Sequence, residues 1–370
     1  MSQNHLEIIT MNGGASIQDL GRLNAQHLGF SASGAADEFA FLSANQLMVN
    51  RLSTNQPSAN KPSANKPSAN KPSTKHQHSI TKIDNKPNNW AAIEITLGQI
   101  SFKASATCII AITGADCQAQ INNIAVNNWQ CYQLQTGDIL DFTMPKTGLH
   151  SYLAVFGGFT CQTAQQPWLG SFAQTVNEMA LGFTGAGLIV GSKLYFSTQD
   201  QPLPQAIPEQ TNKPTATPAL FYAQQKLTLR VMPSTLFLQM SKVKQQQFLA
   251  TEFVISPDSN RMGYRLQVEP KQAASSSTSP DKKILTEQLR SRCLLSMPVT
   301  YGMVQFPDNE QPIVLMKERQ TMGGYPVLGT VMQTDLFRLS QMRPGEKVTF
   351  ILINQLQAQQ QLSAFYQKLC

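Results

Sequence analysis

Apolar residues along this 370-residue chain recur in short runs that suit strands better than long helices. The runs at 92–97, 109–113, 132–134, 139–143, 152–156, 193–197, 227–232, 252–256, 299–305, 313–317 and 347–353 are β-branched or aromatic. Gly, Pro or Asn bounds them, which predicts strands. Helical spacing is rarer. It is clearest after Ser33, through Asp37, Phe39, Leu42, Gln46 and Leu47. Ser33 is placed to cap that helix, with Asp37 and Glu38 in its first turn. Weaker helical patterns occupy 235–249, 333–341 and 354–369. Many short strands with few helices predict a mostly β protein built from β-barrels rather than strand–helix–strand units.

Three polar stretches break the pattern. Ser58-Ala-Asn-Lys-Pro62 repeats twice more, through residue 72, and 52–89 reads as a disordered insertion without apolar content to bury. Lengthening a surface loop costs little, so the insertion leaves the fold intact. Residues 201–219 carry five prolines and read as a linker, and the Ser-rich 270–283 reads as a long hairpin loop. The expected organisation is an N-terminal β subdomain over 1–200, the 201–219 linker, a second β subdomain over 220–355, and a C-terminal helix or tail over 356–370.

The net charge of +7 suggests a nucleic-acid binder until the charge is located. Residues 51–90 hold seven basic residues against Asp84, which leaves +1 for the remainder. A nucleic-acid binder needs a basic face on its folded part, so that class is excluded. The six cysteines form no Cys-x-x-Cys pair, and the first residues lack a signal-peptide pattern. No apolar run approaches a membrane span. A reduced, cytoplasmic protein is expected. His5, His27 and His150 lack metal-ligand spacing, so no metal site is expected.

Candidate chemistry concentrates in two Gly-rich charged segments. The first sets Gln18, Asp19 and Arg22 between Gly13-Gly14 and Gly21; the second runs Glu318-Arg319-Gln320-Thr321 into Gly323-Gly324-Tyr325. Asp19 and Arg22 read equally well as a turn-bracing pair or as ligand-facing groups. Gln18 adds an amide donor and acceptor. Arg319 suits a bidentate grip on a carboxylate or phosphate, Glu318 a general base or metal ligand, and Tyr325 a donor to an oxyanion. Arg261, beside Gly263, suits either an anion or an internal brace, and Gln305 suits a substrate amide. The expected catalytic set is Asp19, Arg22, Glu318, Arg319 and Tyr325. The expected substrate-binding set is Gln18, Gln305, Gln320, Gly323, Gly324 and Arg261. The two segments are expected to meet in one cleft.

Further blocks lie between these segments: Glu94-Ile-Thr-Leu-Gly98, Ile112-Thr-Gly114-Ala115-Asp116, Ser151-Tyr152 with Gly157-Gly158, Asp258 to Arg265, and Gly302-Met-Val-Gln305-Phe-Pro307. With these blocks in order, the chain resembles the biotin-dependent carboxyltransferase family called allophanate hydrolase subunit 2 or KipA-like, which includes the C component of 5-oxoprolinase. The resemblance implies two cyclophilin-like β-barrel subdomains. It implies first one member of an ATP-dependent 5-oxoprolinase complex, which opens the lactam of 5-oxoproline to glutamate. The other members would be a KipI-like protein and a LamB/YcsF-type protein. ATP would then be bound mainly by a partner.

Two other readings stay open. One is a carboxyltransferase moving carboxylate from biotin to urea or a similar amide. The other is a KipA-type regulator that antagonises a KipI-like sensor-kinase inhibitor. No Ala-Met-Lys-Met sequence occurs, so no covalent biotin is expected on this chain. Relatives usually carry Asp at position 318 after a small residue, where this chain has Lys317-Glu318. They also usually follow Gly170-Ser171 with Arg, where this chain has Phe172.

Overall fold

The structure, a computed structural model, describes residues 4–54, 89–160, 167–197, 225–268 and 295–369. Nearly all of the 52–89 insertion lies outside those residues, as do the 201–219 linker and the 270–283 loop. The described chain is mostly β, as the short apolar runs predict.

The amino-terminal half contains β1 (His5–Met11), β2 (Gly14–Gln18), β3 (Ala92–Thr96), β4 (Ile100–Ala104), β5 (Cys108–Gly114) and β6 (Gln120–Ile121). It continues with β7 (Ile124–Ala125), β8 (Gln130–Leu134), β9 (Ile139–Phe142), β10 (His150–Val155), β11 (Phe159–Thr160) and β12 (Lys193–Phe196). They form two sheets, ordered β11-β12-β1-β4-β9-β6-β7 and β2-β3-β10-β5-β8.

Strand alternation in the second sheet feeds two cores. Ile93, Ile95, Ile110, Ile112, Leu153 and Val155 face the first sheet. Ala92, Ala111, Tyr152 and Ala154 face the helix α1 (Glu38–Thr54). The alanines keep that outer face shallow enough for close helix approach, and Thr113 Oγ1 donates to the Ala40 carbonyl at 2.7 Å. Glu94 occupies the same outer face and points a buried carboxylate at the joint between the halves. A short helix, α2 (Val176–Ala180), precedes β12.

The start of α1 differs from the sequence expectation. Ser33 sits at φ 54, outside the extended conformation an N-cap adopts. Asp37 caps the helix instead, its Oδ1 accepting from Ala40 N at 3.1 Å.

The carboxyl-terminal half contains β13 (Lys226–Pro233), β14 (Phe253–Ile255), β15 (Gly263–Val268), β16 (Met297–Pro298), β17 (Met303–Gln305), β18 (Ile313–Leu315), β19 (Met322–Gly323), β20 (Val327–Val331) and β21 (Lys347–Leu352). Seven of them close a barrel in the order β13-β20-β17-β18-β15-β14-β21. Its core stacks Phe248 on Phe350 at 4.9 Å and includes Phe237, Phe253 and Phe306. Each such side chain removed from water contributes about 1.5–3 kcal/mol.

The helix expected over 235–249 is two helices, α3 (Thr235–Gln239) and α4 (Lys242–Ala250), each started by its own serine cap, Ser234 and Ser241. The strand expected over 299–305 shortens to β17 because residues 301–302 form a turn. Helices α5 (Gln333–Leu339) and α6 (Gln355–Leu369) follow β20 and β21. Among the described residues, no helix is long and apolar enough to cross a membrane.

Polar contacts join the two halves. Gln341 Oε1 accepts from Leu149 N and His150 N, and its Nε2 donates to Asp37 Oδ2 and the His150 carbonyl. Arg343 donates to the carbonyls of Gly148 and Pro145.

Candidate functional site

The loop after β2 and the segment after β18 come together at this joint. Ser33 N donates to the Lys317 carbonyl at 3.1 Å, and Gln26 Nε2 donates to the carbonyls of Val299 and Thr321. The side chains expected at the site divide sharply by what they touch.

Asp19 is a peg. Its Oδ1 accepts from Gly21 N and Ser171 Oγ, and its Oδ2 from Phe172 N at 2.7 Å. These bonds fasten the 168–174 segment to the loop. Phe172 turns its ring onto the core between the sheets.

Arg261 is a brace. Its Nη1 pairs with Glu94, its Nε with Glu318, and its Nη2 donates to the Gly34 carbonyl at 2.7 Å. Burial pushes the Glu94 carboxyl up, but Arg261, His150 at 3.7 Å and the bonds from Ala36 N and Tyr152 Oη outweigh it and hold it below the carboxylate range. Burial likewise lowers the His150 imidazole, against the pull of Glu94. Glu318 is thereby fixed by Arg261.

Arg22 and Arg319 behave differently. Arg22 is 1 % exposed; it donates to the Ala173 carbonyl and lies 5.0 Å over the Trp168 ring. Its Nε and Nη1 find no hydrogen-bond partner among the described residues. Arg319 is 8 % exposed, makes only long contacts to the Met316 carbonyl and Gln26 Oε1, and has an unpartnered Nε. Among the described residues neither forms an ion pair with a carboxylate. Burial lowers both guanidinium pKa values; Glu178, Asp19 and Glu318 oppose it at Arg22, and Tyr301 at Arg319. Guanidinium pKa values start so high that both stay charged.

The amides form a second group. Gln305 is buried, its Nε2 unpartnered and its Oε1 3.4 Å from Gln320 Nε2. Gly323 lies against them, since a Cβ there would stand 2.5 Å from Gln305 Nε2. Gly324 is open to its surroundings, with no backbone within Cβ contact. Gln18 is buried beside Gln174, with its Oε1 unpartnered. Tyr325 stands apart from this buried set, 51 % exposed.

Sequence reasoning missed Glu178, Tyr301 and Gln26. Glu178 is buried in α2, with Oε1 3.3 Å from Ser31 Oγ and Oε2 unpartnered. Its Thr175-x-x-Glu178 spacing is a capping pattern that marks the helix start, and Glu178 N does donate to Thr175 Oγ1. Tyr301 lies under both Lys317 Nζ (4.9 Å) and Arg319 (5.9 Å). No local pattern marks it.

A buried polar atom without a partner costs about 1–3 kcal/mol. A cluster of them suits the donors and acceptors of a small polar ligand better than it suits stability.

The chain is 29% identical over 286 residues to a protein named as the C component of 5-oxoprolinase in Escherichia coli, covering 76% of this chain and 82% of that one. It is 26% identical over 345 residues to the protein of the same name in Haemophilus influenzae, covering 93% and 90%. The fold superposes on the crystal structure of the K. lactis urea amidolyase with a TM-score of 0.71 at 19% identity. That match covers all of this chain but only 20% of the larger protein. Residues 81–352 match the carboxyltransferase domain, subdomain A and B, and the chain belongs to that family.

Proposed function

We propose that the chain is one member of an ATP-dependent 5-oxoprolinase complex, which opens the lactam of 5-oxoproline to give glutamate. One observation carries the reading. Two buried guanidiniums, Arg22 and Arg319, keep unpartnered N–H groups at a joint that also holds the unpartnered amide of Gln305. A substrate with both a carboxylate and an amide uses those donors, and 5-oxoproline is such a molecule. The relatives named as 5-oxoprolinase components support the choice over other amides.

In this reading Arg319, with Gln305 and Gln320, holds the substrate carboxylate, and Arg22 faces the lactam. Gly323 lets the substrate approach Gln305. Asp19 and Arg261 set the loops rather than touch the substrate, Arg261 holds Glu318 in place, and Tyr325 stays outside the buried grip. Hydrolysis adds one water across the lactam C–N bond; the carbon keeps the oxygen and the nitrogen leaves as an amine.

Three of the chain's glycine turns do not suit ATP. Gly14 begins β2, Gly323 ends β19, and Gly185 to Gly191 lead toward β12. None opens a helix whose N-terminus would cradle phosphates. We assign the nucleotide to a partner, either the KipI-like protein or the LamB/YcsF-type protein, in the cytoplasm.

The test is glutamate release from 5-oxoproline and ATP by this chain mixed with those two partners. Activity that needs all three proteins, and that falls at least a hundredfold with Arg319→Ala, is expected. Folded proteins without lactam hydrolysis would overturn the reading and turn attention to carboxyl transfer from biotin to urea.

A further inference from the structure

Glu178 and Arg22 are opposite charges buried within one neighbourhood, at 4 % and 1 % exposure. Trp168 links them. It lies under the Arg22 guanidinium and stacks on Phe183, whose N–H donates to the Glu178 carbonyl at 2.9 Å. Phe30 packs edge-on against both rings, and Ser31 beside it reaches Glu178 Oε1. Opposite charges so placed normally close into an ion pair, because each is costly to bury alone. Here they stay apart. Arg22 keeps Nε and Nη1 unpartnered, and Glu178 keeps Oε2 unpartnered, among the described residues. Glu178 nevertheless acts on Arg22 more strongly than Asp19 or Glu318 does.

We propose that Glu178 and Arg22 form a clamp for a secondary amide, Glu178 Oε2 accepting the amide N–H while Arg22 donates to the carbonyl oxygen. The inference rests on the lactam reading and deepens it by naming the specificity determinant. A lactam places its N–H and C=O side by side in the cis arrangement, so one face presents a donor and an acceptor together. The clamp offers the complement, an acceptor beside donors, and the aromatic rings of Phe30, Trp168 and Phe183 screen it from water. A site built to bond a substrate N–H rejects the analogue that lacks it, because the carboxylate is then left buried and unpaired. Glu178 is thus a discriminator between N–H and N-alkyl amides.

The test compares 5-oxoproline with N-methyl-5-oxoproline in the three-protein assay. The wild type is expected to favour the N–H substrate strongly. Glu178→Ala is expected to lose that preference, with kcat/KM for 5-oxoproline falling about ten- to a hundredfold, the worth of a charged hydrogen bond, and the N-methyl value little changed. Glu178→Gln keeps the size and the Ser31 contact, and is expected to fall about tenfold on 5-oxoproline alone. Equal losses on both substrates would mean a purely structural role and overturn the clamp.

Thermal shift of the isolated chain reads the clamp without turnover. In the wild type 2-pyrrolidinone should raise Tm and N-methyl-2-pyrrolidinone should not, and Glu178→Gln should abolish the difference. Equal shifts with both lactams, or none with either, would also overturn it. A wild-type shift specific to 2-pyrrolidinone without any lactam hydrolysis would sink the functional reading and leave the clamp standing.

Discussion

Arg261 shows how one side chain can satisfy the grammar of a binding residue and still be spent internally. All three of its guanidinium nitrogens are engaged, by Glu94, Glu318 and the Gly34 carbonyl. Glu94 is 1 % exposed, so its charge depends on that partner. Breaking a buried pair from one side typically costs about 3–5 kcal/mol, since the other charge stays behind in a poor environment. Arg261→Ala is therefore expected to destabilise the chain by that amount in denaturant titration. Pairing it with Glu94→Gln should recover part of the loss, since the carboxylate is no longer stranded. A variant of normal stability with a raised KM would instead mean that Arg261 grips substrate. The pairing was not legible in the sequence: 167 positions separate Arg261 from Glu94, and only the joint between the halves makes them neighbours.

At the scale of elements, α6 lies beyond residue 352, where the match to the carboxyltransferase domain ends, yet it reaches the candidate site. Tyr366 Oη donates to Glu38 Oε1 at 2.7 Å, and Glu38 Oε2 pairs with Lys317 Nζ at 3.0 Å, next to Glu318 and Arg319. Phe365 wedges between Phe39 of α1 and Phe337 of α5. Burial raises the Glu38 carboxyl, but Lys317, Tyr366 and Gln333 outweigh it and lower the pKa. Tyr366→Phe keeps the ring packing and removes the bond to the Glu38 carboxylate along with the one the hydroxyl accepts from Gln333 Nε2 at 3.0 Å, so a loss of about 1–2 kcal/mol is expected at neutral pH. Because the native pKa is depressed, the stability that Glu38 contributes is present above its unfolded value and fades as pH falls through the native one. The difference between Tyr366→Phe and wild type should thus shrink once pH falls through the depressed native value, which melting curves run from pH 7 down to about pH 2 would show. A constant difference over that whole range would mean that the hydroxyl acts through Gln333 rather than through the carboxylate.

Legibility followed the same elements. Strands such as β5 and β10 announce themselves because both faces are buried and apolar runs, 108–112 and 152–155, fill most of each. Strand β20 was missed because Gly329 interrupts it, and a Cβ there would meet the Met232 carbonyl at 2.5 Å, so close pairing with β13 demands the residue that hides the strand. At the site, the glycine-and-charge composition pointed to Arg22 and Arg319, whose segments meet through Ser33 and Gln26. It could not separate them from Asp19 and Arg261, whose bonds are made to residues far along the chain. Glu178 lay in a segment with no charge pattern around it.

At the scale of the molecule, the two halves have separate apolar cores, one around Ile95, Ile112 and Leu153 and one around Phe248 and Phe350. Beside the aromatic contact of Phe365 with Phe39 and Phe337, what joins them is polar: Gln341 with four hydrogen bonds, Arg343 on two carbonyls, Arg261 on Glu94 and Lys317 on Glu38. Separating the halves would strand those groups, each at a cost of about 1–3 kcal/mol or more where charge is involved. Several such costs together exceed what either half gains by unfolding alone, so the halves are expected to unfold as one unit. The chain supplies its own probe, because its tryptophans are Trp90, Trp129 and Trp168, all in the amino-terminal half. Tryptophan fluorescence therefore reports that half, while far-ultraviolet circular dichroism reports both. In guanidinium titrations the two signals should give coincident transitions for the wild type, the mark of a cooperative change. Gln341→Ala with Arg343→Ala removes the central contacts without touching either core, and the two curves should then separate. Non-coincident curves in the wild type would show that the candidate site lies between two independently stable parts. Its shape would then depend on what else binds there.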